Sequence, residues 1–453
     1  MSDAVLPLFA FLKAYAYYYP LFMAYLWMTG ATFYYWRFER PKPGVPSGPP
    51  LLTGPPLLTG PPLLTGPPLL TGPPLNTDSP QVTPLPLVAI VVPCHNEGRN
   101  INETVEWLLA CRYPHFEILL VNDGSADATR HVLEELAARH PKVRVIHLAR
   151  NQGKAVALTT AALMTSAEYL ACIDADALLD PDAVTWMMAQ LLDSPRVAAV
   201  TGNPRVRNRS TLLGRLQLGE YSSIVGLIKR AQRTYGRVFT VSGVVACFRK
   251  CALHDVGYWS PDILTEDIDV SWKLQLRHWD VRFEPNALCW ILTPETLRGL
   301  WMQRVRWAMG GIQVLMKHWR IEYIFIWKSR RMWPVMIEYV MSVFWAYTML
   351  VIGGFWLANL FIPVPPAYRV PMLMSGWTGV LLGTTCLLQI GVSLSLDSRY
   401  DKTPLRHFFW MIWYPLAYWM LNMAATVVAV PRALSRRLQK RARWISPDRG
   451  LRP

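Results

Sequence analysis

Four short clusters in the sequence combine residue types and spacings suited to chemistry on a phosphate-bearing ligand. In Val121-Asn122-Asp123-Gly124-Ser125, Asp123 stands at a tight turn beside Gly124. In Asp174-Ala175-Asp176, two carboxylates at i and i+2 follow directly on an apolar run. Through a turn both can enter one crevice, where a divalent cation relieves their repulsion. Hard oxygen ligands select Mg2+ or Mn2+, whose shell is completed by water and phosphate. Thr265-Glu266-Asp267, with Asp262 before and Asp269 after, offers a general base. A partly desolvated carboxylate within hydrogen-bond reach of a hydroxyl takes its proton. In Gln303-Arg304-Val305-Arg306-Trp307, Gln303, Arg306 and Trp307 are three and four apart and share a helical face. Arginine grips a diphosphate bidentately, and tryptophan offers a flat surface to a sugar ring. Each cluster alone has a plainer explanation. Acidic pairs occur on ordinary turns, Thr265 with Asp267 and Asp269 suits a helix N-terminus, and the arginines suit a helix at a membrane surface. Both kinds of explanation stand at this level.

The elements that must carry these clusters show in the hydropathy pattern. From Leu85 to about Asp280, short apolar runs at 87–92, 117–121, 143–147 and 169–173 are each followed by a helical stretch. That alternation predicts βαβ units and a mainly parallel sheet covered on both faces. The first two clusters follow directly on such runs, at the strand ends where open α/β sheets bind ligands.

The rest of the chain reads as membrane. Of 453 residues, 52% are hydrophobic and 17% charged, with 20 Trp, 19 Tyr and 15 Phe. A soluble domain carries roughly 25% charge. These figures exclude a disordered chain, a secreted disulfide scaffold and a simple soluble enzyme. Ala14–Trp36 is an uncharged stretch without a small-residue cleavage site, followed by Arg37, Arg40 and Lys42. It predicts a retained anchor with the following chain in the cytoplasm. Pro49–Gly72 is four copies of PPLLTG, which predicts an extended spacer. Three more charge-free stretches (Tyr339–Tyr368, Val370–Leu396, Phe408–Pro431) exceed spanning length. Trp301–Trp327, mixing aromatics with Arg and Lys, predicts helices at the membrane surface.

The net charge of +15 is concentrated at the end, where eight Arg/Lys stand against one Asp from residue 432 onward. An anionic lipid face and a regulatory anion both fit it better than nucleic acid. Three full crossings from the cytoplasm leave this tail outside, against the positive-inside rule; either one segment does not cross or the rule fails here. Seven cysteines without a CxxC pair fit reduced thiols.

The order and spacing of the four clusters, between an anchor and a membrane bundle, resemble the membrane-embedded processive family 2 glycosyltransferases. These are the cellulose, chitin, hyaluronan and poly-N-acetylglucosamine synthases. The likeness spans residues 85–450. It is densest toward the poly-β-1,6-linked N-acetylglucosamine branch, through IVVPCHNEGRN, RVIHLARNQGKAVAL, CIDADALLD, TGNPRVRNRSTLLG, GEYSSIVGLIKR, FTVSGVVACFRK, LTEDIDVSWKLQL and ALCWILTPETL.

The resemblance implies an α/β fold of the GT-A class plus α-helical transmembrane segments. The chain then divides into an anchor (1–40), a Pro-rich linker with the PPLLTG repeats (41–84) that is not part of the family pattern, a cytoplasmic GT-A domain (85–300), interfacial helices with Q-x-x-R-W (301–332), transmembrane segments (333–431) and a basic tail (432–453). It implies UDP-GlcNAc as donor, a growing polysaccharide as acceptor and Mg2+ or Mn2+ as cofactor. It places the chain in a bacterial inner membrane with its catalytic domain in the cytoplasm, making a biofilm polymer. Asp267 is then the catalytic base and Asp176 addresses the metal. Asp123 holds the uracil, Asn96 and Glu97 line the nucleotide pocket, and Lys154 and Asp174 meet the donor. Glu266, Gln303, Arg306 and Trp307 complete the substrate site. It further implies polymer export through the bundle, with Trp345, Trp356 or Trp377 stacking on sugars. A small membrane partner subunit and activation by cyclic di-GMP, suited to Arg441, Arg443 and Arg449, complete the expectation. Sister synthases, a permease or sensing scaffold with a dead transferase domain, and a single-sugar lipid-phosphate transferase are the rival readings.

Overall fold

The computed structural model describes residues 2–40, 49, 85–322, 330–370, 376–401 and 414–435. The PPLLTG spacer and the tail arginines beyond residue 435 lie outside the described residues. Helix α1 (Ser2–Tyr34) closes in a π-helical turn, Tyr35–Glu39. After the spacer comes β1 (Val88–Cys94), buried at all seven positions as a strand covered on both faces must be. Then α2 (Ile101–Leu109), β2 (Phe116–Asp123), α3 (Thr129–Arg139), β3 (Val143–Leu148), α4 (Lys154–Met164) and β4 (Tyr169–Ile173) continue the predicted alternation. The short β5 (Leu178–Leu179), α5 (Ala183–Asp193) and β6 (Val197–Val206) follow. A helical run of α6 (Leu212–Glu220), a π-helical stretch (Tyr221–Ile228) and α7 (Lys229–Tyr235) leads to β7 (Val245–Arg249), α8 (Lys250–Asp255), α9 (Glu266–Leu276) and β8 (Asp280–Ile291).

The eight strands form one sheet in the order β3-β2-β1-β4-β7-β6-β8-β5. The pairs β1–β2, β1–β4, β2–β3 and β6–β8 are parallel. The pairs β4–β7, β6–β7 and β5–β8 are antiparallel, so the sheet is mixed where the apolar pattern predicts a mainly parallel one. A short run such as Val-Ala-Cys-Phe-Arg buries the same faces in either direction, so hydropathy carries no sense of direction. The reversal matters for the site: β7 begins where β4 ends, with Val245 opposite Ile173. Residues just before β7 therefore lie beside residues just after β4.

The order also reverses between β1 and β4, where open sheets make their ligand crevice. Pairing of β1 with β4 stops at Val91–Cys172, whereas pairing with β2 runs on to Cys94–Asn122. Pro93, lacking an N–H, lies past the point where β1 and β4 part. Side chains alternate between two cores. Val88, Ile90 and Val92 join Ile101, Val105 and Leu108 on one face, and Ala89 and Val91 join Ala157, Leu158 and Ala161 on the other.

Beyond β8 the expected surface segment is one 26-residue helix, α10 (Leu297–Glu322), followed by a 3-10 turn at Arg330–Met332. Then come α11 (Trp333–Phe361), α12 (Gly376–Asp397) and α13 (Tyr414–Ser435). Among the described residues, 330–361 and 377–397 form helices long and apolar enough to cross a bilayer, each with mean hydropathy 1.7. α1 lies along α11: Tyr15 donates to the Met341 carbonyl at 2.8 Å and Trp345 donates to the Ala16 carbonyl at 3.0 Å.

Two devices lock the helices to the sheet domain. The first is a buried ion network. Arg230 binds Glu39 through Nε (2.5 Å) and Nη2 (3.1 Å), and Asp397 through Nη1 (3.0 Å). Asp397 also takes Arg205 Nη1 at 2.7 Å, and the Tyr400 hydroxyl donates to Glu39 at 2.8 Å. Gly226 is required beside it, since a Cβ there would strike the Asp397 carboxylate. The second is Gly310-Gly311 in α10, where side chains would collide with Thr265 and Tyr339 respectively. α10 thus lies flush against the Thr-Glu-Asp turn on one side and α11 on the other.

Candidate active site

The loops at the carboxyl ends of β1, β2 and β4 supply the first half of the site. After β1, Asn96 takes a left-handed conformation (φ 59°), which asparagine tolerates better than most residues. Its Oδ1 accepts the Ala126 N–H at 2.9 Å, tying this loop to the one after β2. Glu97, buried, donates its N–H to Thr129 Oγ1 at 2.7 Å. Asp123 closes β2 fully buried, and its two oxygens accept the N–H groups of Gln152 (2.7 Å) and Gly153 (2.8 Å). Asp123 therefore fixes the backbone that leads into Lys154. Gly124 has φ 60° and lies so close to Arg150 that any side chain would collide with its backbone.

Lys154, first residue of α4, is the hub. Its Nζ donates to Asp174 Oδ1 (2.5 Å) and to the Gly243 carbonyl (2.8 Å), and lies 3.4 Å from Glu266 Oε1. Burial works against its charge, but Asp174, Glu266 and Asp267 outweigh burial and raise its pKa. Asp174 and Asp176 leave β4 as the spacing predicts. Burial, then the neighbouring Asp174 charge, pushes Asp176 up to about 7.

The second half comes from the loop before β7 and the start of α9. Gly243 carries the contact: its carbonyl takes Lys154, and its Cα side lies against the Asp267 carboxylate. Asp267 Oδ1 accepts its neighbour's N–H, from Ile268, at 2.9 Å. Burial, then Glu266, raises Asp267 to about 6, while Lys154 and Arg306 pull the other way. Asp174, Lys154, Gly243, Glu266, Asp267 and Arg306 are thereby linked around one point at the end of the sheet.

The Q-x-x-R-W face of α10 divides its labour differently from its motif. Arg306 is exposed and acts on Asp267 through its charge, whereas Arg304 is buried. Arg304 holds Glu220 at 2.5 Å and sits over the Trp307 ring, 4.4 Å from its centroid. Gln303 Oε1 is buried with no hydrogen-bond partner among the described residues. Sequence reasoning named the motif arginine but missed Arg304 as the bolt to α6. It also missed Gly243, whose FTVSG context marks only a turn. Of the tryptophans expected along an export path, Trp345 is committed to Ala16 and packs edge-on to Trp419, and Trp377 points outward, 87% exposed.

Among the described residues, no three His, Cys, Asp or Glu side chains gather to hold an ion by themselves. The donor set is a carboxylate pair, Asp174 and Asp176, with the repulsion already seen in Asp176. That fits a hard divalent ion taking its other ligands from diphosphate and water.

The family model described as "Glycosyltransferase like family 2" matches residues 84–310. A poly-beta-1,6-N-acetyl-D-glucosamine synthase of Staphylococcus epidermidis is 40% identical over 367 residues, 80% of this chain and 87% of the relative. A second synthase of that name from S. epidermidis is 36% identical over 437 residues, covering 96% of this chain and 97% of the relative. One from Staphylococcus aureus is 39% identical over 365 residues, 80% and 87% of the two chains. Among solved structures, a mannosyltransferase from Pyrobaculum calidifontis in complex with GDP-Man and Mn2+ superposes with TM-score 0.56. That likeness covers 94% of this chain and 99% of the other at 19% identity, and so speaks to the GT-A fold alone.

Proposed function

The chain belongs to the family 2 glycosyltransferases, among the relatives named poly-β-1,6-N-acetyl-D-glucosamine synthases, and from that premise we propose that it polymerises N-acetylglucosamine from UDP-GlcNAc into a β-1,6-linked chain. The observation that carries the reading is the seating of Asp267 against Gly243, beside the Lys154–Asp174–Glu266 cluster. A base, a cation and a carboxylate pair within one strand-end crevice are what sugar transfer from a nucleotide donor requires.

In this mechanism the acceptor hydroxyl gives its proton to Asp267 as its oxygen bonds to the anomeric carbon. The carbon–oxygen bond to UDP breaks on the opposite face, its electron pair leaving with the diphosphate. An α-linked donor so becomes a β-linked product. Asp176, with Asp174, would hold the divalent ion, which when bound neutralises charge on the departing diphosphate. Arg306 and Lys154 add fixed positive charge at the same place, worth most where water is excluded. Trp307 and Gln303 border the acceptor side of α10. Replacing Asp176 by Asn is expected to raise the Mn2+ concentration for half-maximal activity at least ~10-fold, read by metal titration of chelator-treated vesicles.

Export through the helical bundle, an inner-membrane position with the sheet domain in the cytoplasm, a small partner subunit and cyclic di-GMP activation belong to the same proposal. The two apolar helices at 330–361 and 377–397 support its membrane part. The deciding experiment gives labelled UDP-GlcNAc to vesicles carrying the full chain, against UDP-glucose and UDP-glucuronate as competitors. The product is then digested with a β-1,6-specific hydrolase. A polymer from UDP-GlcNAc that the hydrolase degrades is the expected result. A resistant polymer, or one drawn from a competing donor, moves the chain to a sister specificity.

A further inference from the structure

The helical run after β6 ends in two adjacent cations that serve different neighbours. Arg230 belongs to the Glu39–Asp397 network at the membrane helices. Lys229, only 7% exposed, reaches the sheet instead and donates to Thr201 Oγ1 at 3.1 Å. The same hydroxyl oxygen accepts the Ser242 N–H at 2.7 Å. Ser242 leads into Gly243, the residue that receives Lys154 on its carbonyl and carries the Asp267 carboxylate against its Cα. A buried ammonium is therefore two hydrogen bonds away from the turn that seats the base.

Resting on the reaction proposed above, we infer that Lys229 is a positioning residue for Asp267: through Thr201 it fixes the Ser242–Gly243 turn on which that carboxylate rests, and its charge acts on the same carboxylate. The surroundings make the electrostatic part specific. Arg230, Glu39 and Asp397 are engaged with one another, and Arg233 with Asp280. Glu284 on β8 is held by Gln190 and Asn286, and Glu338 on α11 by Gln232. Lys154 is committed to Asp174, Gly243 and Glu266. Asp267 is the carboxylate whose charge acts on Lys229, opposing the burial that lowers this lysine to about 7. Below about 7 the ammonium is charged, so its influence on Asp267 falls in the range of the acid limb.

The test uses the full chain in vesicles and whichever nucleotide sugar the wild type turns over. Absence of GlcNAc incorporation then counts against the substrate assignment and leaves this comparison intact. Lys229→Met keeps the length without the charge, and Lys229→Arg keeps a charge that does not titrate. Lys229→Met is expected to lower kcat ~10- to 100-fold, the scale of a small misplacement of a reacting group. Its donor KM should stay unchanged, and the acid limb of kcat/KM should move to higher pH. Lys229→Arg should recover most of kcat and leave the acid limb in place. Thr201→Val, which cuts the link but leaves the ammonium, should lower kcat without moving the acid limb. UDP binding by each variant confirms the fold. Equal losses in Lys229→Met and Lys229→Arg with unmoved limbs would reduce Lys229 to packing, and wild-type kcat in Lys229→Met or Thr201→Val would overturn the inference outright.

Discussion

Replacing Asp267 by Asn is expected to leave UDP binding intact and to reduce polymer formation by at least ~10^2- to 10^4-fold, the usual contribution of a positioned base. The amide has nearly the same shape, keeps an oxygen for the Ile268 N–H and still rests on Gly243, so the crevice stays built. What it loses is the capacity to accept a proton. The pH dependence of the wild type should carry the same signature. Burial and Glu266 place the Asp267 carboxylate at about 6, above the ordinary range of a carboxylic acid. The group is a base only above that value, so the rate falls as pH drops through about 6. With the divalent ion saturating, which would hold Asp176 ionised, the acid limb belongs to Asp267 and should disappear with it in any residual activity of the Asn variant. Labelled donor incorporation across pH, alongside UDP calorimetry, measures both. Polymerisation by Asp267→Asn at the normal rate would remove Asp267 as the base.

The second large effect is one of stability. Arg230→Met is expected to cost about 3–5 kcal/mol, because it strands two carboxylates, Glu39 and Asp397, in a buried site with their partner gone. Asp397 keeps Arg205 and Glu39 keeps the Tyr400 hydroxyl, which confines the loss to that range. Thermal unfolding in detergent should show a large fall in midpoint. The added substitution Glu39→Gln should recover part of it by removing one of the stranded charges while leaving the Asp397–Arg205 pair intact. An Arg230→Met protein that melts with the wild type would mean the network is not a structural joint.

The two residues were unequally legible in the sequence. Asp123, Asp174 and Asp176 stand directly after apolar runs, and a strand end is a place that hydropathy marks. Asp267 had its motif, and Lys154 had its position after a glycine. The Arg230 network had neither. Glu39 lies 191 positions from Arg230 and Asp397 lies 167 away, and no local period records such pairings. The direction of β7 was hidden for a related reason, since an apolar pentapeptide reads alike both ways. Yet that direction brings Gly243 to Lys154 and completes the site. On α10 the motif led to Arg306 as the functional cation, while burial of neighbouring Arg304 on Glu220 is a property of the packed helices alone.

α10 also acts as a gauge. Arg306 and Gly310 stand one helical turn apart, about 6 Å along the axis, and Gly310 is pressed on Thr265 while Gly311 is pressed on Tyr339 of the first long apolar helix. With two bare glycines as the seat, the rod has no slack in which to slide. The distance from the Asp267 carboxylate to the long apolar helices is consequently set by helix pitch, and in the proposed reaction each added sugar advances past a fixed mark while the mark itself stays still.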